Sequence, residues 1–118
     1  MLNIKLKELL YRILEKFVVS SQTLATGVTL YRYGNMRYLE IVNTSVSQAT
    51  LANVPSGDRP IANARAVCRY RATNNTFYTG LITVETNGSV SASYCSGTNA
   101  SAITSGQIHG SVTWIVAN

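Results

Sequence analysis

The last third of the chain alternates apolar and polar residues with a period of two. In residues 89–94 (SVSASY) the even positions are apolar and the odd positions are serine, and residues 108–116 (IHGSVTWIV) keep the same parity. Because successive side chains of a strand point to opposite faces, this pattern predicts strands with one buried face and one face in water. Asn87 and Gly88 precede the first of these strands and favour a type I′ hairpin turn. The sequence therefore predicts an antiparallel β domain whose exposed face is rich in serine and threonine.

The region before it also consists of short strand-like segments separated by turn signals. Gly34 and Asn35 favour a hairpin, residues 55–60 (PSGDRP) favour a loop, and a loop rich in Ser, Gly, Asn and Ala is predicted over residues 96–106. Six or seven short strands with no helix between them predict a β-sandwich, a jelly-roll-like head or a partly closed barrel over residues 27–118. The predicted strands are 27–33, 36–42, 50–54, 64–72, 77–85, the strand from residue 89, and 108–116.

Residues 1–19 are predicted to form an amphipathic helix. Apolar residues recur there at spacings of three and four, which places them on one stripe, and charged residues fill the opposite side. A helix this short is only marginally stable on its own in water, so its apolar stripe needs another surface to pack against. The stripe packs on its own domain or, as its terminal position and the polar linker 20–26 favour, forms a coiled coil between identical chains. The seam is compatible with a homotrimer and is predicted to consist of Leu6, Leu10, Ile13 and Phe17.

The charge of the chain restricts its partners. Ten basic and five acidic residues give a net charge of +5, but charged residues make up only 13% of the 118 residues. A nucleic-acid-binding protein usually concentrates more positive charge on one face, so no nucleic-acid partner is predicted. The N-terminal segment has charges where a signal peptide needs an apolar run, and no stretch approaches the roughly 20 apolar residues of a membrane span. We expect no signal peptide and no membrane insertion.

The residues that usually carry catalysis are scattered along the sequence. The five carboxylates lie in separate segments, whereas a glycosidase needs two that face one bond. His109 is the only histidine, and no second imidazole or acidic cluster completes a metal site. Cys68 and Cys95 have opposite strand parity, which predicts two free thiols. No enzymatic activity, no metal and no cofactor are therefore predicted.

The exposed aromatic, basic and amide side chains are the candidates for binding. Tyrosine has an apolar ring that stacks on a sugar and a hydroxyl that hydrogen-bonds to it. The parity predicts that Arg37 and Arg69 point outward and that Trp114 lies in the core. Loop tips are the other expected place for contact with a ligand. The candidate ligand-binding residues are Tyr31, Tyr33, Arg69, Arg71, Asn74 and Asn75.

The order of four motifs resembles a known family. After a basic helical start come residues 27–35 (GVTLYRYGN), 51–60 (LANVPSGDRP), 79–90 (TGLITVETNGSV) and 110–116 (GSVTWIV). Their order and spacing resemble the C-terminal head domains of tail and baseplate receptor-binding proteins from phages of Gram-positive bacteria. The resemblance covers about residues 27–116. It implies the positions of turns in this chain, but it does not identify binding residues.

This resemblance implies a homotrimer of β-sandwich heads that recognises a host cell-wall saccharide without hydrolysing it. The protein would then be made in the host cytoplasm and act in the virion, at the tail tip or baseplate, next to other tail proteins. Such proteins often carry a longer docking segment than the short helix predicted here. Two alternatives stay open: a purely structural tail or baseplate protein, and a small glycan hydrolase, against which the lack of paired acids argues.

Overall fold

A computed structural model describes residues 5–10, 20–96 and 99–117 of the chain. Residues 5–10 are helical, and the rest of the regular structure in the described part is antiparallel β, apart from a short 3-10 helix at Ser56–Asp58. This confirms the predicted class, a mainly β protein with a short N-terminal helix. The strands are β1 (Ser20–Ala25), β2 (Val28–Tyr33), β3 (Met36–Ser45), β4 (Thr50–Asn53), β5 (Ala64–Arg71), β6 (Phe77–Val84), β7 (Ser89–Ser96), β8 (Asn99–Ala102) and β9 (Gln107–Ile115).

The strands form one sheet in the order β1-β2-β3-β9-β5-β6-β7-β4. Strand β8 also pairs with β7, beyond the segment of β7 that pairs with β4. Strands β1 and β4, at opposite ends of this order, contact each other, so the sheet is rolled around its apolar face. Strand β9 lies between β3 and β5, and the last strand of the chain therefore joins the two halves of the sheet.

The core occupies the inner face of the rolled sheet, and it has the parity predicted from the sequence. Val90, Ala92, Ile108 and Val112 are buried, and Trp114 is buried as well. The fully buried side chains with the largest volumes are Leu30, Leu39, Ile41, Ile82, Ile103 and Ile108. The odd positions of the last strands face outward, which leaves a hydroxyl-rich outer surface.

Two hairpins have the same turn geometry. In the β6–β7 turn, the N–H of Gly88 donates to the carbonyl of Glu85 at 2.9 Å, and Gly88 has φ +91°. In the β5–β6 turn, the N–H of Asn75 donates to the carbonyl of Ala72 at 2.9 Å, and Asn75 has φ +65°. Each is a turn followed by one left-handed residue. The predicted type I′ turn was wrong, because Asn87 does not share the positive φ of Gly88.

Two segments predicted to lack strands contain them. Residues 20–26 were predicted to be a linker, but Ser20–Ala25 form β1, paired with β2. Residues 96–106 were predicted to be a loop, but Asn99–Ala102 form β8. Both are edge strands with mostly exposed side chains, so their backbone hydrogen bonds define them and no apolar alternation marks them in the sequence. The structure therefore has nine strands among its described residues, more than the six or seven predicted.

The proline loop 55–60 is fastened to the sheet by Asp58. Arg37 Nε donates to Asp58 Oδ1 at 2.6 Å, and Arg32 donates to both carboxylate oxygens at 2.9 and 2.8 Å. The indole N–H of Trp114 donates to the backbone carbonyl of Asp58 at 2.7 Å. Arg37 was predicted to point outward, and this was wrong: its side chain is buried on the core face of β3, where the carboxylate of Asp58 compensates its charge.

The helical residues 5–10 expose their leucines in the single chain. Leu6, Leu9 and Leu10 are exposed to 56%, 54% and 51%. Of the predicted seam residues, Leu6 and Leu10 lie in this helix, and Ile13 and Phe17 lie outside the described residues. No helix in the described ranges is long and apolar enough to cross a membrane. Cys68 is buried, Cys95 is exposed and both are free thiols, as predicted.

Candidate functional site

The outer face of β5 carries a row of exposed arginines. Arg65, Arg69 and Arg71 share one parity, and Cys68 and Tyr70 on the other parity are buried. Asp58 is the acidic partner in both ion pairs found among the described residues, and it lies on the other side of the sheet with Arg32. The outer face of β5 is therefore a positively charged surface that no carboxylate of the described region neutralises by direct pairing.

Arg71 is held by the turn that follows its own strand. Its Nε and Nη2 donate to Asn75 Oδ1 at 3.1 and 2.6 Å. At the equivalent position of the β6–β7 turn the chain has Gly88, the residue that adopts a positive φ without strain. Asparagine at position 75 keeps a left-handed backbone that costs an L-residue about 1 kcal/mol. Its side-chain oxygen fixes one edge of the guanidinium, and the remaining N–H groups stay available to a ligand.

Arg69 is held by a β-bulge in β3. The register between β3 and β9 shifts between Ile41 and Thr44, and Asn43 at this bulge has φ +41°. Arg69 Nη2 donates to Asn43 Oδ1 at 2.7 Å, and the N–H of Asn43 donates to His109 Nδ1 at 3.2 Å. Bulges re-aim side chains and are frequent beside functional sites. Here the bulge directs one asparagine toward both Arg69 and His109.

Phe77 completes the surroundings of Arg69. The ring lies opposite Arg71 in the β5–β6 register, and the Cζ atom of Arg69 is 5.5 Å from its centroid. Phe77 is 58% exposed. An exposed aromatic face beside two oriented guanidinium groups offers the two contacts that a sugar ring uses, apolar stacking and charge-assisted hydrogen bonds.

Both left-handed asparagines of the described chain hold an arginine of this pair. Asn43 and Asn75 are the non-glycine residues with positive φ in the described ranges, and they accept from Arg69 and Arg71 respectively. Non-glycine residues with left-handed backbones cluster at binding sites, where the surrounding structure maintains them. Two independent segments, a bulge and a turn, thus orient neighbouring guanidinium groups on one surface.

A polar groove of about 440 Å³ opens beside Arg71. Its side chains offer guanidinium, amide and hydroxyl groups, and Gln107 lies opposite both Arg71 and Ser45 in the sheet register. Gly106 has φ +88°, and a Cβ at this position would contact the backbone oxygen of Arg71, so glycine is required at the rim. The groove is lined by Ser45, Val46, Arg71, Ala72, Thr73, Asn75, Ser105, Gly106 and Gln107.

A smaller cavity of about 280 Å³ lies next along β9 and includes His109. Its lining brings the imidazole together with Glu40, Tyr38 and Ser111. Because His109 Nδ1 accepts a hydrogen bond, the neutral ring has its proton on Nε2. Polar groups that donate and accept therefore continue on the outer surface from the polar groove across the Arg69 network to this cavity.

The carboxylates on the sheet lie far from one another. Glu40 lies on β3 and Glu85 follows β6, three strands away in the sheet order. This separates their strands by roughly 14 Å along the sheet, whereas glycosidase carboxyls lie about 5–9.5 Å apart. Asp58 is occupied by Arg32 and Arg37. Within the described ranges, no group of three or more metal-ligating side chains occurs.

The structure brings some of the predicted binding residues together and separates others. Arg69, Arg71 and Asn75 share one surface, as described above. Asn74 is in the same turn, but its Oδ1 accepts from the N–H of Thr76 at 3.1 Å and so stabilises the turn. Tyr31 and Tyr33 lie on β2, two strands from β9, away from the polar groove.

Sequence reasoning missed Asn43, Gln107 and the contact of His109. Asn43 contributes because a bulge re-aims it, and the sequence around it carries no bulge signal such as a glycine. His109 was read as an isolated surface residue, and its partner is the backbone of Asn43, which no side-chain pattern reveals. Gln107 could have been found from its position, since the residue that begins the last strand faces outward at the end of the sheet.

An apolar cleft of about 440 Å³ lies farther along the same outer face, on β5, β6, β7 and β8. Val67 opposes Leu81 in the register, and Cys95 opposes Ala100. Val67 is 69% exposed. This cleft differs from the polar groove in chemistry, because its lining is mostly carbon: Val67, Tyr78, Thr79, Gly80, Leu81, Ser93, Tyr94, Cys95 and Ala100.

A scan against models of protein families gives no match, and neither does a search of curated proteins.

Proposed function

We propose that this protein is a non-catalytic adhesion module that recognises a host cell-surface saccharide, as a receptor-binding protein of a phage or prophage tail. The observation that carries the proposal is the pair of arginines on β5, each oriented by an asparagine with a left-handed backbone. The exposed ring of Phe77 and the polar groove beside Arg71 supply the remaining contacts that a saccharide needs.

The surface favours an extended polar ligand over a small apolar one. The polar groove is open to solvent and offers hydroxyl, amide and guanidinium groups beside Val46 and Ala72, and the cavity at His109 lies next to it along β9. A small-molecule site is usually enclosed and mostly apolar. A polysaccharide lying across β3, β9 and β5 would present its hydroxyl groups to these side chains and its C–H faces to Phe77.

The finer architecture belongs to the same proposal. The rolled sheet serves as a sandwich-like or jelly-roll-like head, and the N-terminal helix joins three such heads as a coiled coil. The exposed leucines of residues 5–10 support this association, because they need an apolar partner. Three linked sites of modest affinity bind a repetitive surface far more tightly than one, since each bound head raises the effective concentration of the next.

A binding experiment on cell walls tests the function. The labelled full chain is incubated with walls from a panel of Gram-positive bacteria and with the polysaccharide extracted from each. We expect retention on some walls, competition by the matching soluble polysaccharide and no decrease in its chain length by size-exclusion chromatography. Retention by no wall, or retention abolished by protease treatment of the walls, contradicts saccharide recognition, and shortening of the polysaccharide supports the hydrolase.

A structural tail or baseplate role is the second candidate, and the apolar cleft favours it. Val67 is exposed on the outer face and opposes the half-buried Leu81, and Ala100 and Cys95 extend this apolar surface toward β8. Exposed apolar surface of this kind marks contacts with other proteins. Under this alternative Val67→Glu prevents incorporation of the protein into the virion, while Arg71→Gln does not.

A further inference from the structure

We infer that the outer face of β2, β3 and β9, at the end of the sheet where β1 begins, is a contact surface for a second copy of this chain. This surface, the apolar patch, consists of Tyr31, Tyr33, Met36, Tyr38 and Ile115. The inference rests on the self-association that is part of the proposed function. It assigns the two tyrosines of β2 to contact between copies of the chain instead of to a saccharide.

The sheet register makes the patch continuous. Tyr33 opposes Met36, and Met36 opposes Ile115, so one row crosses three adjacent strands. Residues directly opposite each other in neighbouring strands lie on the same face with Cβ atoms about 5 Å apart. The three side chains are exposed to 39%, 40% and 58%.

The next row of the patch is aromatic. Tyr31 opposes Tyr38, and their ring centroids are 5.8 Å apart. Both tyrosines are half-buried. Tyrosine and methionine are enriched in the centres of protein interfaces, and tyrosine buries a large area there at a small loss of conformational entropy.

The patch is free of charge, although arginines alternate with its residues. Arg32 and Arg37 lie between these rows in sequence, and both turn to the opposite face, where Asp58 binds them. Two copies that each carry a net charge of +5 repel one another wherever basic surfaces meet. The outer face of β5, with Arg65, Arg69 and Arg71, is such a surface. The electrostatic repulsion between two copies is smallest where an uncharged patch of one approaches the other.

The position of the patch connects it with the exposed leucines of the helix. Strand β1 begins at Ser20, which opposes Arg32, the residue next to Tyr33. The chain therefore enters the sheet beside the patch. The ten residues that lead from Leu10 to Ser20 can span at most about 35 Å, even when fully extended. An association through Leu6, Leu9 and Leu10 consequently brings this end of each head close to its neighbour.

The test measures self-association of the full chain by sedimentation velocity over a range of concentrations. Ile115→Glu and Met36→Glu are each expected to raise the dissociation constant of the oligomer by about tenfold or more. A charged side chain in the centre of an interface must be desolvated when the oligomer forms. Ile61→Glu is the matched control, since Ile61 is 68% exposed and lies in the loop before β5. Thermal unfolding verifies that each variant is folded, and Ile115→Ser replaces any variant that is not.

Three results of the sedimentation experiment overturn the inference. The first is a wild-type chain that is monomeric at all concentrations. The second is an oligomer that Ile115→Glu and Ile115→Ser leave unchanged, and the third is an oligomer that Val67→Glu disrupts in their place.

Binding of the monomeric variants to cell-wall polysaccharide is measured separately. Oligomers that dissociate as expected but bind no polysaccharide leave this inference standing and reject the proposed ligand. Loss of polysaccharide binding by Tyr31→Ala protein that is still oligomeric shows that the patch is a ligand site and likewise overturns the inference.

Discussion

At the scale of the residue, a few polar side chains join segments that are distant in the sequence. Asn43 and Asn75 connect a bulge and a turn to neighbouring arginines of β5. Asp58 connects the proline loop to Arg32 and Arg37 across the sheet. The carboxylate of Asp58 compensates guanidinium groups that are partly buried, whereas the amide oxygens of Asn43 and Asn75 orient exposed ones.

Asp58→Asn tests the importance of this connection. Removing the charge leaves two arginines near the core without their counter-ion, and we expect a loss of about 3 kcal/mol in the free energy of unfolding at pH 7. Urea denaturation followed by tryptophan fluorescence measures it, because Trp114 hydrogen-bonds to the Asp58 backbone. Glu85→Gln is the control, since Glu85 forms no ion pair with the described residues, and it should change the stability by less than about 0.5 kcal/mol.

The same carboxylate gives the protein an acid-sensitive stability. Hydrogen bonds from Arg32 first, and from Arg37, hold the pKa of Asp58 below its ordinary value against the opposing effect of burial. The contribution of Asp58 is therefore complete above the unfolded pKa of about 3.9 and is lost as the pH falls through the lower folded value. The stability difference between wild type and Asp58→Asn should shrink on acidification below pH 4. A difference that stays constant down to the lowest pH at which the protein folds would contradict this.

At the scale of the element, the alternation of residues decided most of what the sequence could predict. The strands with alternating apolar residues were found, and the buried even positions of β7 and β9 were correct. Strands β1 and β8 were missed because their side chains are exposed and only backbone pairing holds them. Arg37 was misplaced because its burial depends on Asp58, which is 21 residues away in the sequence. Long-range polar partners of this kind leave no local pattern.

Glycines set the spacing of three central strands. Gly110 of β9 opposes Cys68 of β5, and Cys68 opposes Gly80 of β6. A Cβ at Gly110 would lie 2.8 Å from the Cβ of Cys68 and 3.2 Å from Cδ1 of Ile82. The absence of side chains at both glycines lets the thiol occupy the space between them. This row positions β9 against β5, and with it Gln107 and His109 beside the arginines.

Gly110→Ala is expected to force β9 and β5 apart and to lower the free energy of unfolding by about 1–3 kcal/mol, as overpacking does. Gly57→Ala serves as the control because a Cβ there meets nothing within 4 Å, and it should leave stability within about 0.5 kcal/mol of wild type. Thermal and urea denaturation measure both variants. Equal stability of Gly110→Ala and wild type would show that β9 and β5 can move apart without lowering the free energy of unfolding. The row of Gly110, Cys68 and Gly80 would then have no structural importance.

At the scale of the whole molecule, the proposed adhesion module consists of several heads joined through their helices. Leu10→Asp places a charge on the exposed apolar stripe of residues 5–10 and should convert an oligomer into a monomer. Light scattering coupled to gel filtration measures the mass, which should fall from a multiple of 12.8 kDa to that value. The charge-preserving control is Glu8→Asp on the same helix. A wild-type mass of one chain, or an oligomer that Leu10→Asp leaves intact, rejects the coiled coil.

The candidate site could be predicted only in part, because contacts between residues that are distant in the sequence leave no local pattern. The same reason limited the prediction of the fold. Arg69, Arg71 and Asn75 were found because they are exposed polar residues at the end of a strand and in a turn. Tyr31 and Tyr33 satisfied the same criterion, but the order of strands in the sheet separates them from the polar groove. Which surface residues become neighbours depends on that order, and on the placement of β9 between β3 and β5, which period-two patterns do not encode.

The affinity of the site variants for cell-wall polysaccharide tests the central claim most directly. Titration of the polysaccharide that the binding experiment selects should give Arg71→Gln a Kd at least about tenfold weaker, equivalent to ~1.4 kcal/mol. Asn75→Gly keeps the left-handed backbone but removes the oxygen that orients Arg71, so it should weaken binding without loss of stability. Arg65→Gln, on the same strand face but outside the polar groove, should bind within about twofold of wild type. Equal affinities for Arg71→Gln, Asn75→Gly and wild type would contradict the claim that this surface recognises the saccharide.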